Sequence, residues 1–183
     1  VLRWIQDFLF AGQPTPRTSP ARRKARRKPG APTVASARYE AMTRRMLERH
    51  SVRVRRWRRS MSGVAWVVES TDGCVSRLIE APLPKSPVSA AVFLHEIGHH
   101  AIGLGTYKLR CLEEFHAWRF ALEAMREHGI EVTPRVNLRV HASLHYAVAK
   151  ARRRGLRSLP EELAAYTRPP TREQVKLAGL LRD

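Results

Sequence analysis

The sequence predicts an α+β fold in which a small antiparallel sheet is followed by helices. Two observations carry this. Three short β-prone runs lie between positions 52 and 79, with turn residues between the second and third. From position 86 onward, the segments instead show helical caps, helical spacing and glycine stops. At 183 residues, 43% of them hydrophobic, the chain is long and apolar enough to bury a core.

In chain order, Ala35–His50 reads as a helix, because Tyr39, Met42 and Met46 fall at helical spacing. Val52–Arg58 alternates Val and Arg, the pattern of a strand with one basic face, with Trp57 as an inward residue or a stacking platform. Val64–Val68 and Val75–Ile79 are the next strands, and Thr71-Asp72-Gly73 supplies hairpin chemistry between them. Ser86-Pro87 provides an N-cap and a first-turn proline for a helix over Val88–Ile102, with Gly103 as its stop. A second helix is expected from about Arg110 to His128, ending at Gly129, and a third from Thr133-Pro134 to near Gly155. Short helices follow Pro160 and Thr171, the last with a Thr171…Gln174 capping box.

The chain carries 34 Lys+Arg against 16 Asp+Glu, a net +18. From Arg17 to Arg59 the balance is 16 − 2 = +14, and from Ser60 to Asp183 it is 17 − 13 = +4, so the excess belongs to the N-terminal third. The run Arg22-Arg23-Lys24-Ala25-Arg26-Arg27-Lys28 sits among Pro, Ser and Thr without apolar periodicity, which predicts a disordered basic arm. The expected organisation is a flexible segment over 1–34 and one folded domain over 35–183. The basic third offers non-specific nucleic-acid contact through phosphates, or a hold on an acidic protein, but no motif for reading sequence. Two cysteines are too few for a disulfide framework, which points to a reducing, cytoplasmic setting. No apolar run is long enough to span a membrane, and Val1–Phe10, interrupted by Asp7 and followed by no small-residue cleavage site, does not read as a signal peptide.

The chemistry concentrates in His95-Glu96-Ile97-Gly98-His99, inside the first of the later helices. Residues four apart share a helix face, so both imidazoles reach one Zn²⁺, and Glu96 beside them is placed to take a proton from an attacking water. Gly98 removes a side chain between them and admits another element closely. A catalytic zinc site needs a third protein ligand. The extension HExxHxxGxxH is not met, since position 102 is Ile and position 105 is Gly. The next helix offers Glu113 and Glu114 instead; Ala117 and the Phe120-Ala121 spacing favour Glu114 facing the histidines. His141 and His145 repeat the i, i+4 spacing without a glutamate. They read as lining the cleft, as a weak second metal site, or as one part-buried and one solvated residue. Cys111, one turn before Glu114, reads as a packing thiol.

Phe93–His100 (FLHEIGHH), followed by Glu-x-x-Ala-x-x-Phe-Ala over Glu114–Ala121, resembles the ImmA/IrrE-type zinc metallopeptidases, within the gluzincins. The resemblance covers about Tyr39–Gly129, with its specific part in Phe93–Ala121, and it implies a helical zincin core. It further implies one zinc ion held by His95, His99 and Glu114, Glu96 as general base, and a regulatory protein such as a repressor as substrate. Trp118 departs from the pattern: the family often has Asn or Asp there, supporting a histidine ligand. Candidate oxyanion donors are His141, His145, Tyr107 and Tyr146. The alternative function is a nucleic-acid-associated protein whose zincin fold is structural or weakly active.

Overall fold

The computed structural model describes residues 33–181, so the expected basic arm lies outside the described residues except for its last two positions. The elements are α1 (Val34–Arg49), β1 (Val52–Arg58), β2 (Val64–Glu69), β3 (Val75–Pro82), α2 (Pro87–Ile102), α3 (Arg110–Glu127), α4 (Pro134–Arg153), a 3₁₀ turn (Glu161–Thr167) and α5 (Arg172–Leu177). The α+β class is as the sequence predicts, strands first and helices after.

The sheet is mixed rather than antiparallel. Its order is β1-β3-β2, with β3 central. β2 and β3 form the expected antiparallel hairpin, closed by Gly73 at φ 78° and by Asp72 Oδ1, which accepts from the Cys74 amide at 3.1 Å. β1 pairs parallel with β3, from Val52 against Arg77 to Arg58 against Pro82. Alternating Val and Arg sets which face a residue takes but not strand direction, which is why the sequence did not reveal this pairing. The register shifts between Val54 and Arg56, so Arg55 and Arg56 both escape the simple alternation.

The helix α2 is the hub of the domain, packing on α3, β3, β2, α4 and α1. Its start is fixed by a capping box in which both partners are serines. Ser86 Oγ accepts from the Ser89 amide at 3.3 Å, and Ser89 Oγ accepts from the Ser86 amide at 2.9 Å. Glu or Gln does this job on an exposed helix; Ser89 is buried, where a short hydroxyl fits and a charge does not. Every residue from Ser89 to His100 is buried, and Phe93, Leu94 and Ile97 are fully so. Each of these large side chains contributes about 1.5–3 kcal/mol by leaving water.

Gly98 sets the spacing between α2 and α3. A Cβ there would stand 2.7 Å from the Ala117 carbonyl oxygen and 3.1 Å from Phe120 Cδ1. Glycine on one helix and alanine on the other bring the backbones together, which is the close approach the sequence suggested. Two smaller clusters hold the C-terminal part: Cys111, Val148 and Leu163 under the 3₁₀ turn, and Leu138, Val175 and Ala178 between α4 and α5.

Candidate metal centre

α2 supplies His95 and His99 on one face, and the close crossing with α3 brings Glu114 opposite them. His95 Nε2 lies 3.2 Å from Glu114 Oε2, and His99 Nε2 lies 3.8 Å from Glu114 Oε1. The three ligand-capable atoms all fall within 4.8 Å of one another. Tetrahedral ligands about 2.0–2.1 Å from a common ion stand about 3.3 Å apart. The spacing is close to that of a single ligand set, so two imidazole nitrogens and one carboxylate could hold one divalent ion. The structure brings together His95, His99 and Glu114, the three residues named from the sequence, and Glu113 takes a different position.

Glu113 is buried and faces the other side of His99, with Oε1 3.1 Å from Nδ1. That contact directs a proton onto Nδ1 and leaves the Nε2 lone pair facing Glu114, the carboxylate–histidine relation that orients metal ligands. Glu113 Oε2 also accepts from the Gly105 amide at 3.1 Å, tying the α2–α3 loop to the site. Arg110 clamps both acids, with its guanidinium 2.6 Å from Glu113 Oε1 and 3.0 Å from Glu114 Oε1.

Trp118 stacks on the His95 ring at 4.1 Å between centroids and 20° between planes. An aromatic face thus packs on the ring at the position where the sequence departs from the polar residue of the resembled pattern. His95 Nδ1 and the Trp118 indole nitrogen are both buried without a protein hydrogen-bond partner.

The electrostatics of the group follow from burial and mutual charge. Burial disfavours the charged form of Glu114, yet the His95 hydrogen bond, the charges of His95 and His99, and Arg110 outweigh it and hold the carboxyl at about 2. Burial pushes His99 down to about 3, with His95 adding to the shift, so its imidazole is neutral and able to donate a lone pair. Glu96 is pushed up to about 7, chiefly by burial and partly by Glu114, against the opposing charge of His95.

Glu96 packs against Gly63, just before β2, so closely that a Cβ at Gly63 would collide with its carboxylate. Buried Arg139 of α4 donates from Nη2 to the Met61 carbonyl at 2.7 Å, and burial lowers its pKa to about 10 against the opposing pull of the Glu96 charge. Neither contact was foreseen. Arg139 did carry a signal, since it falls between Val136 and Val140 on the buried stripe of α4, where a charge needs a reason. Gly63 carried none.

These residues line an open cleft of about 780 Å³, walled by the start of β2, the histidine face of α2, the first turns of α3 and one face of α4. Of the four candidate oxyanion donors, Tyr146 lines it. His141 Nε2 lies 3.0 Å from the Arg168 carbonyl oxygen, and His145 Nδ1 lies 3.0 Å from that of Tyr166; neither lines the cleft. Tyr107 stacks on His116. His100 is buried and its Nε2 lies 3.0 Å from the Leu78 carbonyl oxygen, joining α2 to β3. Cys111 is a buried free thiol at the cleft, and Cys74 is an exposed one.

The basic face of β1 is partly neutralised from within. Arg55, Arg56 and Arg58 all reach Glu80, at 3.4, 3.0 and 3.0 Å. Trp57 is half-exposed, with its ring 6.0 Å from that of buried Phe93. No helix among the described residues is long and apolar enough to cross a membrane. Comparison with protein-family models, curated proteins and solved structures finds no match for the chain.

Proposed function

We propose that the chain is a zinc-dependent metallopeptidase of the ImmA/IrrE-like kind, cutting a regulatory protein such as a repressor at one or a few sites. The observation that supports this best is the convergence of His95, His99 and Glu114 within 4.8 Å, beside Glu96, in an open cleft. A buried structural site would close its fourth position; this one faces the cleft.

When bound, zinc supplies a Lewis acid that polarises the scissile carbonyl and acidifies a water molecule. Glu96 accepts the proton of the attacking water and delivers it to the leaving amine, a task suited to a carboxyl near 7. Gly63 leaves room for the Glu96 side chain, and Arg139 lines the same cleft. Tyr146 is the candidate donor to the developing oxyanion. The outer edge of β2 carries no strand partner among the described residues, and Val64 and Ala65 at its start line the cleft, so an extended polypeptide can lie along it. Free cysteines suit the cytoplasm as its compartment. Any non-specific nucleic-acid contact is assigned to the basic segment before residue 33 and to Arg59, because three arginines of β1 already face Glu80.

The test is to reconstitute the purified chain with zinc, measure the bound metal, and compare cleavage of repressor proteins by the parent and by Glu96→Gln. One zinc per chain with Glu96-dependent cleavage is expected. Zinc retained without such cleavage removes the peptidase reading, and no zinc after reconstitution removes the site as well.

A further inference from the structure

We propose that the end of the cleft remote from Glu96 is a binding site for an acidic polypeptide segment, recognised by Lys108, Lys150 and Arg154. It names the substrate class of the peptidase reading and rests on that reading only in calling the bound segment a substrate.

α4 gives the cleft one continuous face. Arg139, Ser143, Ala147 and Ala151 descend it in steps of four, and Tyr146, Lys150 and Arg154 run beside them in the same steps. At about 1.5 Å per residue, Lys150 lies ~16 Å and Arg154 ~22 Å along the helix from Arg139. Lys108, from the loop between α2 and α3, also lines the cleft.

The charges at the two ends are in different situations. At the metal end, Arg110 is clamped on Glu113 and Glu114, and Arg139 donates to the Met61 carbonyl. At the other end, no ion pair among the described residues involves Lys108, Lys150 or Arg154. Three cations on one cleft without an internal counter-charge repel one another and raise the local concentration of an anionic ligand. Leu109, Ala147, Ala151 and Leu156 line the cleft with them, so the surface suits an acidic side chain next to an aliphatic one.

Two alternative occupants fit less well. The chain's own segment 17–28 holds seven basic residues and no acidic one, the wrong sign for this surface. A single-stranded nucleic acid has the right sign but needs rings on which successive bases stack. The cleft offers Tyr146 and Trp118, and Trp118 is already stacked on His95. An extended polypeptide advances about 3.3 Å per residue. Its acidic residues therefore fall roughly five to seven positions from the residue abreast of Arg139.

The experiment uses the full chain carrying Glu96→Gln, which binds without turnover, and fluorescence anisotropy as the readout. The probes are a fourteen-residue peptide with a Glu-Asp-Glu-Glu tail, the same peptide with a Gln-Asn-Gln-Gln tail, and a fourteen-nucleotide oligo-dT. The acidic peptide is expected to bind at least about tenfold tighter than the neutral one, and the gap should shrink as salt is raised. Replacing Lys108, Lys150 and Arg154 together by Ala should abolish that preference and leave neutral-peptide affinity and the melting temperature unchanged. Lys150→Glu alone should weaken the acidic peptide and favour a Lys-tailed one, which secures the result if the triple variant folds poorly. Equal binding of the two peptides overturns the proposal, as does a preference that survives the substitutions. Tighter oligo-dT binding with the same dependence on the three cations overturns it in favour of nucleic acid. Because no readout requires hydrolysis, the acidic preference stands or falls separately from the peptidase reading.

Discussion

Glu113 Oε1 lies 3.1 Å from His99 Nδ1, while Glu114, the next residue, faces Nε2 of the same ring. One imidazole is thus held between two consecutive carboxylates with different tasks. Glu113→Ala should weaken zinc binding by about 10–100-fold, the usual cost of losing an orienting partner. Glu114→Ala should cost far more, because it removes a ligand. Competition against a chromophoric chelator measures both, and equal losses would remove the assignment.

The crossing of α2 and α3 predicts the sign of a stability change. On an exposed helix, Gly→Ala gains up to about 1 kcal/mol. At Gly98 the added methyl meets the Ala117 carbonyl at 2.7 Å, and backbone has to move. Gly98→Ala should therefore destabilise by about 1–3 kcal/mol, read as a lower urea midpoint. A raised midpoint would show that the helices are farther apart than described.

Gly63→Ala should separate stability from activity. The new methyl meets side-chain atoms of Glu96 with no backbone among its nearest contacts, so the urea midpoint should fall less than for Gly98→Ala. Turnover should fall by about 100-fold, as expected for a base displaced by about 1 Å. Zinc content should stay at the parental level; loss of zinc along with activity would place Gly63 in support of the metal rather than of Glu96.

Acid should destabilise the metal-free chain in a defined window. Burial holds His99, His100 and His50 below their ordinary 6.5, so the folded form binds fewer protons than the unfolded one. Their contribution is complete above 6.5 and declines as pH falls below it. Glu96, raised from 4.5 to about 7, works in the opposite direction: its contribution is complete below 4.5 and lost as pH rises through 7. Urea midpoints should therefore drop between pH 6.5 and 4.5. Metal-free Glu96→Gln should gain on the parent as pH rises from 4.5 to 7. A flat parental profile would mean that the histidines are not buried as neutral groups.

Features set by neighbouring residues were readable in the sequence. The Ser86 cap, the Asp72-Gly73 turn, the His95 and His99 face and the placing of Glu114 toward that face all depend on helix period or local hydrogen bonding. What escaped depends on partners distant in the chain. β1 pairs with β3 across 25 positions in parallel, since Val52 opposes Arg77. Gly63 meets Glu96 from before it in sequence, Arg139 joins the cleft from after it, and Trp118 meets His95 only through the packing of two helices. In the sequence Glu113 rivals Glu114 as a ligand, because spacing alone does not distinguish gripping a metal from gripping the imidazole beside it.

The three donors arise from two consecutive helices, between positions 95 and 114, whereas the cleft wall comes from α4, beginning at Pro134. Contacts between near neighbours in sequence close first at the lowest entropic cost, and a metal that binds the folded pair stabilises it further. A chain emerging from the ribosome would therefore present a complete set of metal donors before the wall that receives a polypeptide exists. On the peptidase reading, the chain order alone would then let the metal donors assemble before the surface that receives a substrate.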